Sequence, residues 1–241
     1  METRISERLI AQTQSLSKAV GKLTFSAPVS HVYNPLEYAW APHEQYLRRF
    51  GNNSKKTVFL GMNPGPFGMV QCGVPFGEIA AVRDWMHIDA PVAKPTSENP
   101  ERPIEGFACT RSEVSGRRLW GLFQQRFPNA NDFFAEHFVA NYCPLAFFDR
   151  SRNLTPDKLS VSETEPLYAA CDEYLRQLAD ALQPEWIVGV GGFAEARARQ
   201  ALAKHEVRIG KVLHPSPASP AANRGWAEAA EKQLVTQGIW P

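Results

Sequence analysis

The sequence lacks the features that mark secreted, membrane-spanning or metal-binding proteins. Its four cysteines, Cys72, Cys109, Cys143 and Cys171, form no C-x-x-C pair and show none of the spacings expected of zinc or iron–sulfur ligands. No apolar run is long enough to span a bilayer, and residues 1–20 have neither the continuous apolar core nor the cleavage site of a signal peptide. We therefore expect reduced structural thiols, no metal or other cofactor, no membrane association and a cytoplasmic location.

A large net charge of either sign is also absent. The chain has 26 lysines and arginines against 25 aspartates and glutamates, which leaves a formal charge of +1. Any polyanionic partner must therefore be held by a local basic patch, with an affinity that depends on salt. The chain has 241 residues with 44% hydrophobic content, which is enough for one large core. We expect residues 1–241 to form a single domain and a monomer.

Four short apolar segments alternate with helical patterns along most of the chain. We predict strands at 57–60, 137–143, 186–190 and 207–213. We predict helices at 112–123, 163–182, 193–204 and 220–237. This alternation is typical of a three-layer α/β/α fold with a central, mainly parallel four-stranded sheet.

The remaining segments are expected to surround this sheet. An amphipathic helix at 2–21 makes the N-terminal segment an element packed on the domain. Residues 28–42, which are rich in proline and aromatic side chains, are expected to run extended over the core, followed by a short helix at 43–50. A helix is possible at 78–86, and the polar, proline-rich residues 90–103 are expected to form a surface loop.

The most informative stretch is a loop rich in glycine and proline that follows the first strand. Residues 57–77 contain five of the sixteen glycines and three of the prolines, and the loop runs far beyond the length of a four-residue turn. An isolated Asn-Pro-Gly is typical of an ordinary turn, but a backbone constrained over this length is shaped to fit a ligand. Asn63 is its one side chain suited to chemistry.

Polar side chains follow three of the four predicted strands. Asn63 comes just after the first strand, Asn141 lies near the end of the second, and His214 directly follows the fourth. Ligands of open parallel sheets bind beyond the carboxyl ends of the strands. One cleft can therefore collect all three side chains, although a lone histidine is more often structural than functional.

Two further segments are candidates for the edges of this cleft. Residues 214–226 place three prolines after the histidine, which predicts a stiff loop before the last helix. Several arginines surround the helix that starts at residue 112, namely Arg111, Arg117, Arg118 and Arg126. They favour a phosphate site at its first turns, but they are equally compatible with a solvated helix face.

Together these segments closely resemble one known family. The motifs that carry the resemblance are Gly61–Met69, Gly73–Gly77, Ser112–Gly116, Trp120-Gly121, Asn141–Leu145, His214–Pro217 and Asn223–Trp226. They resemble the single-strand-selective monofunctional uracil-DNA glycosylases, in order and over most of the chain. The resemblance implies the uracil-DNA glycosylase fold and a bacterial-type member of the family. The sequence departs from the family at Ala218, where vertebrate members carry an arginine that fills the gap in the DNA helix.

The resemblance also implies a role for each residue of the cleft. Asn63 would position the attacking water, and His214 would donate a hydrogen bond to the uracil O2, where negative charge develops as the base leaves. Phe76 would stack on the flipped base, and Asn141 would read it, because its amide accepts from N3–H and donates to O4. The other implied substrate contacts are Gly61, Met62, Gly65 and Met69.

The environment of the pyrimidine C5 and the DNA surface follow from the same resemblance. Gly65, which has no side chain, is expected to leave space beside C5 for a water or for a polar substituent such as hydroxymethyl, so that thymine is rejected when its methyl group displaces the water. The DNA contacts implied are Ser115, Arg117, Arg118, Pro215, Ser216, Pro217 and Ala218. The loop that starts at Pro215 is the candidate wedge for the gap left by the flipped base.

The expected activity is hydrolytic release of uracil, and of 5-modified uracils such as 5-hydroxymethyluracil, from single- and double-stranded DNA. The abasic site would pass to downstream repair enzymes, in the cytoplasm and at the nucleoid. No lysine or aspartate of the motifs is placed as a nucleophile, so we expect no lyase step. The alternatives are a glycosylase of the same fold that prefers hypoxanthine, xanthine or mismatched bases, a non-catalytic sensor of deaminated DNA, and an iron–sulfur glycosylase, which the scattered cysteines disfavour.

Overall fold

The strands form two sheets, and the larger one lies at the centre of the fold. The computed structural model describes residues 4–241, and its strands are β1 (His31–Tyr33), β2 (Thr57–Gly61), β3 (His137–Asn141), β4 (Ala146–Asp149), β5 (Arg152–Leu154), β6 (Trp186–Val190) and β7 (Arg208–Val212). In the larger sheet the order is β3-β2-β6-β7, and all neighbouring strands are parallel. The predicted α/β fold with a parallel four-stranded sheet is confirmed.

Helices cover this sheet. They are α1 (Ile5–Val20), α2 (Pro35–Tyr38), α3 (Trp40–Phe50), α4 (Met69–Cys72), α5 (Val114–Arg126), α6 (Ala130–Glu136), α7 (Val161–Leu182), α8 (Gly192–Ala201) and α9 (Trp226–Thr236). Helix α8 packs on the sheet and against α7, which in turn packs against α1, whereas α9 packs on β7 and against α5. Within residues 4–241, no helix is both long enough and apolar enough to cross a bilayer.

The burial of strands β2 and β3 explains their composition. Every residue of β2 and of β3 is buried. A parallel sheet with both faces covered has no solvent side, so its strands read as continuous apolar runs without alternation. The sequence analysis located these strands for this reason, and the observed bounds differ from the predicted ones by at most two residues.

The last helix begins later than its sequence pattern predicts. Residues 220–237 were expected to be helical, but α9 starts at Trp226 after a short 3₁₀ turn at Ala222–Arg224. Gly225 has φ +114°, a left-handed conformation that interrupts the helix and that glycine adopts readily. The three prolines upstream and this glycine therefore extend the preceding loop at the expense of the helix.

Residues 28–42 are more ordered than the sequence analysis predicts. The expected extended segment contains β1 and α2, and α3 starts at Trp40, three residues before the predicted helix. Strand β1 pairs with β4 in an antiparallel three-stranded sheet of order β1-β4-β5. The partner strand lies more than a hundred residues away, with Val32 opposite Phe147, so local sequence could not reveal the pairing.

The loop at 90–103 has no helix or strand, but its centre is anchored. The Tyr33 hydroxyl accepts from Asn99 N–H (2.7 Å) and donates to the Arg102 carbonyl (2.8 Å). Asn99 also donates through Nδ2 to the Arg150 carbonyl (2.8 Å). The loop is therefore fixed to the small sheet.

Candidate active site

Strands β2 and β3 end side by side, with Gly61 paired to Asn141. The parallel pairing continues past both strands, because the Tyr142 N–H donates to the Gly61 carbonyl (2.9 Å) and the Cys143 N–H donates to the Met62 carbonyl (2.8 Å). The segments that follow β2 and β3 therefore leave the sheet at the same carboxyl edge, which is where the site is predicted. We call residues 61–77 the glycine loop.

Asn63 lies near the start of the glycine loop. Its Nδ2 donates to the Leu145 carbonyl (3.2 Å). This bond fixes the orientation of the amide and leaves Oδ1 as the acceptor for another donor. An amide oxygen held in this way can orient a water molecule, although it is too weak a base to remove the water's proton.

Phe76, Asn141 and Met69 close around Gly61. A Cβ atom at Gly61 would lie 2.4 Å from both Asn141 Oδ1 and the Phe76 ring, so only glycine fits at this position. Asn141 is buried, and its Nδ2 lies 3.3 Å from Met69 Sδ. The result is a pocket with an aromatic side wall and a fixed amide, which is the combination that recognises a flat heterocycle.

Phe76 is held in a strained backbone conformation. Its φ is +53°, which is uncommon for a residue with a side chain. The indole N–H of Trp120 donates to the Phe76 carbonyl (3.1 Å). A Cβ atom at Gly116 would lie 2.0 Å from the same carbonyl oxygen. Helix α5 therefore holds the stacking ring in place through an indole and through a close approach that only glycine permits.

The far side of the glycine loop is tied to α3 and to the loop at 90–103. His43 Nδ1 bonds to the Gly73 carbonyl (2.7 Å), and burial lowers the pKa of His43 to about 4, so the ring is neutral. The amide of buried Gln71 donates to the carbonyls of Pro66 (3.2 Å) and Pro103 (3.1 Å). Sequence reasoning missed both residues, because neither carries a motif and their partners are backbone atoms.

His214 projects from the end of β7 towards the same pocket. The Ser216 N–H donates to His214 Nδ1 (3.0 Å), which places the ring proton on Nε2. Burial lowers the pKa of His214, so the ring is a neutral donor at neutral pH. The His214 and Phe76 ring centroids are 6.3 Å apart. Gly191, with φ +95°, lies directly against the histidine.

The segment after His214, which we call the proline loop (residues 215–225), is braced mainly by its own hydrogen bonds. Ala218 N–H donates to Ser216 Oγ (3.1 Å), and Asn223 Nδ2 donates to the Pro217 carbonyl (2.9 Å). Pro215 is buried, whereas Pro217 and Ala218 are exposed at the tip. The tip is the accessible part of the loop.

The two arginines predicted to bind DNA differ in their surroundings. Arg117 is exposed, and the one hydrogen bond of its side chain within the described residues is a long one to Ser112 Oγ (3.4 Å). Arg118 instead donates to the Pro215 carbonyl (2.9 Å) and to Asn223 Oδ1 (2.9 Å). Arg118 therefore holds the proline loop against α5. Ser115, the third predicted contact on this helix, is half-buried in its first turn.

The space expected beside Gly65 is already occupied. A Cβ atom at Gly65 would lie 2.4 Å from Glu113 Oε2, and one at Gly68 would lie 2.9 Å from Glu113 Cγ. The missing side chain of Gly65 therefore does not leave the opening that was predicted, because Glu113 fills it. Glu113 stands in the quoted Ser112–Gly116 motif, but only the folded chain shows that its carboxyl group reaches the glycine loop.

The predicted residues thus fall into two groups. One cleft contains Gly61, Met69, Phe76, Asn141 and His214, with Asn63 and the backbone of Met62 at the adjoining strand end. Ser115 and Arg117 lie on the exposed start of α5, next to the proline loop that Arg118 holds. The four cysteines are buried free thiols.

Comparison with known proteins agrees with this site. A family model described as the uracil DNA glycosylase superfamily matches residues 48–235. The chain is also similar to SMUG2 of Pedobacter heparinus, a crystal structure with TM-score 0.72 and 17% identity that covers 99% of this chain and 98% of that one. Fold and site together define a member of the uracil DNA glycosylase superfamily.

Sequence similarity narrows the assignment further. The single-strand selective monofunctional uracil DNA glycosylases of Mus musculus, Rattus norvegicus and Bos taurus are each 45% identical over 240 residues, which is 98% of this chain. The alignments cover 86% of the mouse and rat proteins and 88% of the bovine one. The chain belongs to the family of single-strand selective monofunctional uracil-DNA glycosylases.

Proposed function

We propose that this protein hydrolyses the N-glycosidic bond between uracil and deoxyribose in DNA and leaves an abasic site, the first step of base excision repair. The observation that carries the proposal is that three polar groups lie at the carboxyl edge of one parallel sheet. Asn63 presents an amide oxygen, His214 presents Nε2–H, and Asn141 presents an oriented amide beside Phe76. The relatives at 45% identity are named for uracil excision without a second, lyase function.

Asn141 suits recognition of uracil. With its Nδ2 fixed on the side of Met69, its Oδ1 is available to accept from the uracil N3–H while Nδ2 donates to O4. Cytosine presents the opposite pattern at these two positions, so it would leave two buried polar groups unpaired. Selection therefore depends on the amide, while stacking on Phe76 contributes roughly 1–3 kcal/mol whatever the base.

The chemical step relies on departure of the base. As the C1′–N1 bond breaks, its electron pair stays on the pyrimidine and the sugar becomes oxocarbenium-like. The neutral His214 donates through Nε2–H to O2, where the negative charge develops, and a water oriented by Asn63 Oδ1 attacks C1′. The water loses its proton once it bonds to the cationic carbon, so a strong base is unnecessary. None of the cleft residues is a lysine, which agrees with a hydrolytic, monofunctional reaction.

The substrate must bring the base into this cleft from outside the stack. Flipping costs a few kcal/mol from a duplex and less from a single strand or a mismatch. The exposed tip of the proline loop and exposed Arg117 are the groups that would meet the backbone. We propose activity on both single- and double-stranded DNA, on 5-modified uracils such as 5-hydroxymethyluracil, in a monomeric cytoplasmic protein whose product passes to abasic-site enzymes.

Single-turnover base release tests the proposal. An oligonucleotide with one uracil, treated with alkali to reveal abasic sites, is incubated with the wild type, Asn63→Ala and His214→Ala in the presence of a chelator. We expect cleavage by the wild type and a fall of about 100- to 1,000-fold in each variant. The control is Asn153→Ala, an exposed asparagine on β5, which should cut at the wild-type rate.

The base identity is tested in the same assay. Oligonucleotides with hypoxanthine or with a mismatched thymine replace the uracil substrate. Release of one of these bases by a protein that leaves uracil untouched would refute the interpretation of Asn141. Binding of uracil DNA without release of any base would make the protein a sensor.

A further inference from the structure

Glu113, a half-buried residue, holds its carboxyl group against the glycine loop. Oε2 accepts a hydrogen bond of 3.3 Å from the Phe67 N–H, which is long for a charged acceptor. Burial raises the pKa of Glu113, an effect that the backbone N–H groups of Phe67 and Ser115 oppose and that the nearby Glu78 carboxylate adds to. A buried carboxyl group of this kind is costly, and such groups concentrate at functional sites.

The side chain lies across two glycines of the loop. An added Cβ atom would lie 2.4 Å from its Oε2 at Gly65 and 2.9 Å from its Cγ at Gly68. A larger residue at Gly65 would displace the carboxyl group, and one at Gly68 would meet the Gly77 carbonyl (2.8 Å) as well as Glu113 Cγ. Because neither glycine has a side chain, the Glu113 side chain can lie directly against residues 65–68 of the loop.

The orientation of Asn141 shows which edge of the base faces this stretch. Its Nδ2, the donor to uracil O4, lies 3.3 Å from Met69 Sδ, and Met69 directly follows Gly68. The C4 side of the pyrimidine therefore points towards Met69. Since C5 is bonded to C4, the C5 edge faces the stretch of the loop that Glu113 covers.

We propose that Glu113 is a specificity-determining residue that senses the substituent at C5 of the pyrimidine. The inference rests on the proposed uracil-DNA glycosylase function. A hydroxymethyl group at C5 can donate its O–H to the carboxylate in a charge-assisted hydrogen bond. The methyl group of thymine offers no donor and would remove water from the carboxylate, which disfavours binding. Hydrogen at C5 makes neither contact.

The test compares two variants of Glu113 with a neighbouring control. Glu113→Gln keeps the shape of the side chain, and Glu113→Ala removes the carboxyl group. Glu78→Gln removes a carboxylate that accepts from Glu113 N–H (2.7 Å) and Ser112 Oγ (3.1 Å) at the end of the same helix. Thermal unfolding identifies variants that are not folded. Single-turnover release is measured from single strands containing uracil, 5-hydroxymethyluracil or thymine.

The readout is the ratio of the 5-hydroxymethyluracil rate to the uracil rate. We expect this ratio to fall about tenfold or more in Glu113→Ala and several-fold in Glu113→Gln, and to stay unchanged in Glu78→Gln. Thymine release should rise in Glu113→Ala. Loss of a loop support alone would lower both rates together and leave the ratio constant.

Two results would overturn the inference while leaving the glycosylase function intact. One is a constant ratio in both Glu113 variants. The other is an equal change of the ratio in Glu78→Gln, which would assign the effect to the charge at the helix end. If the proposed function itself is wrong, the wild type will release no uracil, and the inference about Glu113 would then be refuted as well.

Discussion

The glycine loop and the proline loop border one cleft, but the protein holds them in different ways. The glycine loop is fixed from outside, by Trp120 on the Phe76 carbonyl and by His43 on the Gly73 carbonyl. The proline loop is fixed mostly from within, and Pro217 and Ala218 at its tip are exposed. Reading a base requires a rigid and dry pocket, whereas contact with DNA requires accessible groups. The difference in support therefore matches a division between recognition of the base and contact with the strand.

The largest effect should come from the base-reading amide of the pocket. In Asn141→Asp the ionised carboxylate accepts but cannot donate to O4, so uracil release should fall by about 1,000-fold or more. Weak cytosine release should appear, because the carboxylate accepts from the cytosine amino group. Single-turnover assays on paired uracil and cytosine oligonucleotides measure both. Unchanged base preference would remove Asn141 from the pocket.

Acid should destabilise the support of the glycine loop. His43 and His137 are buried, and burial lowers the pKa of each from 6.5 to about 4. Between pH 6.5 and 4 the unfolded chain binds protons that the folded chain does not, so the free energy of unfolding is highest above pH 6.5. It should fall by up to about 3 kcal/mol per histidine as the pH approaches 4.

Urea unfolding between pH 7 and pH 4.5 measures this slope. His43→Asn places an amide donor near the original Nδ1 and has no titrating ring, so its slope should be smaller than that of the wild type. An equal slope in both proteins would show that His43 is not one of the groups that titrate.

Two glycines on α5 provide a matched test of how Phe76 is held. In Gly116→Ala the new Cβ atom meets the Phe76 carbonyl, which should lower stability by about 1–3 kcal/mol and slow uracil release by about tenfold or more. In Gly121→Ala nothing lies within 4 Å of the new atom. The higher helix propensity of alanine should raise stability by up to about 1 kcal/mol. Equal rates in the two variants would contradict the proposed support.

The two arginines separate strand contact from support of the proline loop. Arg117→Ala should weaken binding of damaged and undamaged DNA alike and reduce the slope of log K against log salt by about 1. Arg118→Ala frees the proline loop from α5, so it should also lower the release rate at saturating protein by several-fold. Titrations at several salt concentrations and single-turnover rates distinguish the effects. A rate loss with Arg117→Ala instead would reverse the assignment.

The smallest effect should come from the exposed tip. In Ala218→Arg the new side chain can enter the gap left by a flipped base, which should raise uracil release from duplex DNA by a few-fold and leave single-strand release unchanged. The ratio of the two rates is the measurement. A parallel gain on both substrates would indicate a general electrostatic effect.

The sequence contained much of this site because its key residues occur in local patterns. Asn141 ends an apolar strand, and Asn63 and His214 each follow one. Because parallel strands end at one edge of a sheet, their convergence was predictable. Their roles came from the resemblance of whole motifs. The bonds of Arg118 to the proline loop could not be predicted, because a cluster of positive charge gives no information about the carbonyl groups near it in space.

The supports of the pocket were set by tertiary contacts. Glu113, Trp120 and His43 touch the glycine loop from segments between about 30 and 48 residues distant in sequence, and two of these contacts involve backbone carbonyls that any residue could supply. The antiparallel pairing of β1 with β4 was invisible for the same reason.

The sequence by itself determined the order of strands and helices and the chemical groups available for catalysis. Both can be recognised locally, because buried strands have an apolar composition and each side chain has its own chemistry. The tertiary structure decided which atoms those groups retain for a substrate. Asn63 keeps Oδ1 because Nδ2 bonds to Leu145, and His214 keeps Nε2–H because Nδ1 accepts from Ser216. It also decided that Gly65 faces a carboxyl group, since only a folded chain brings α5 against the glycine loop.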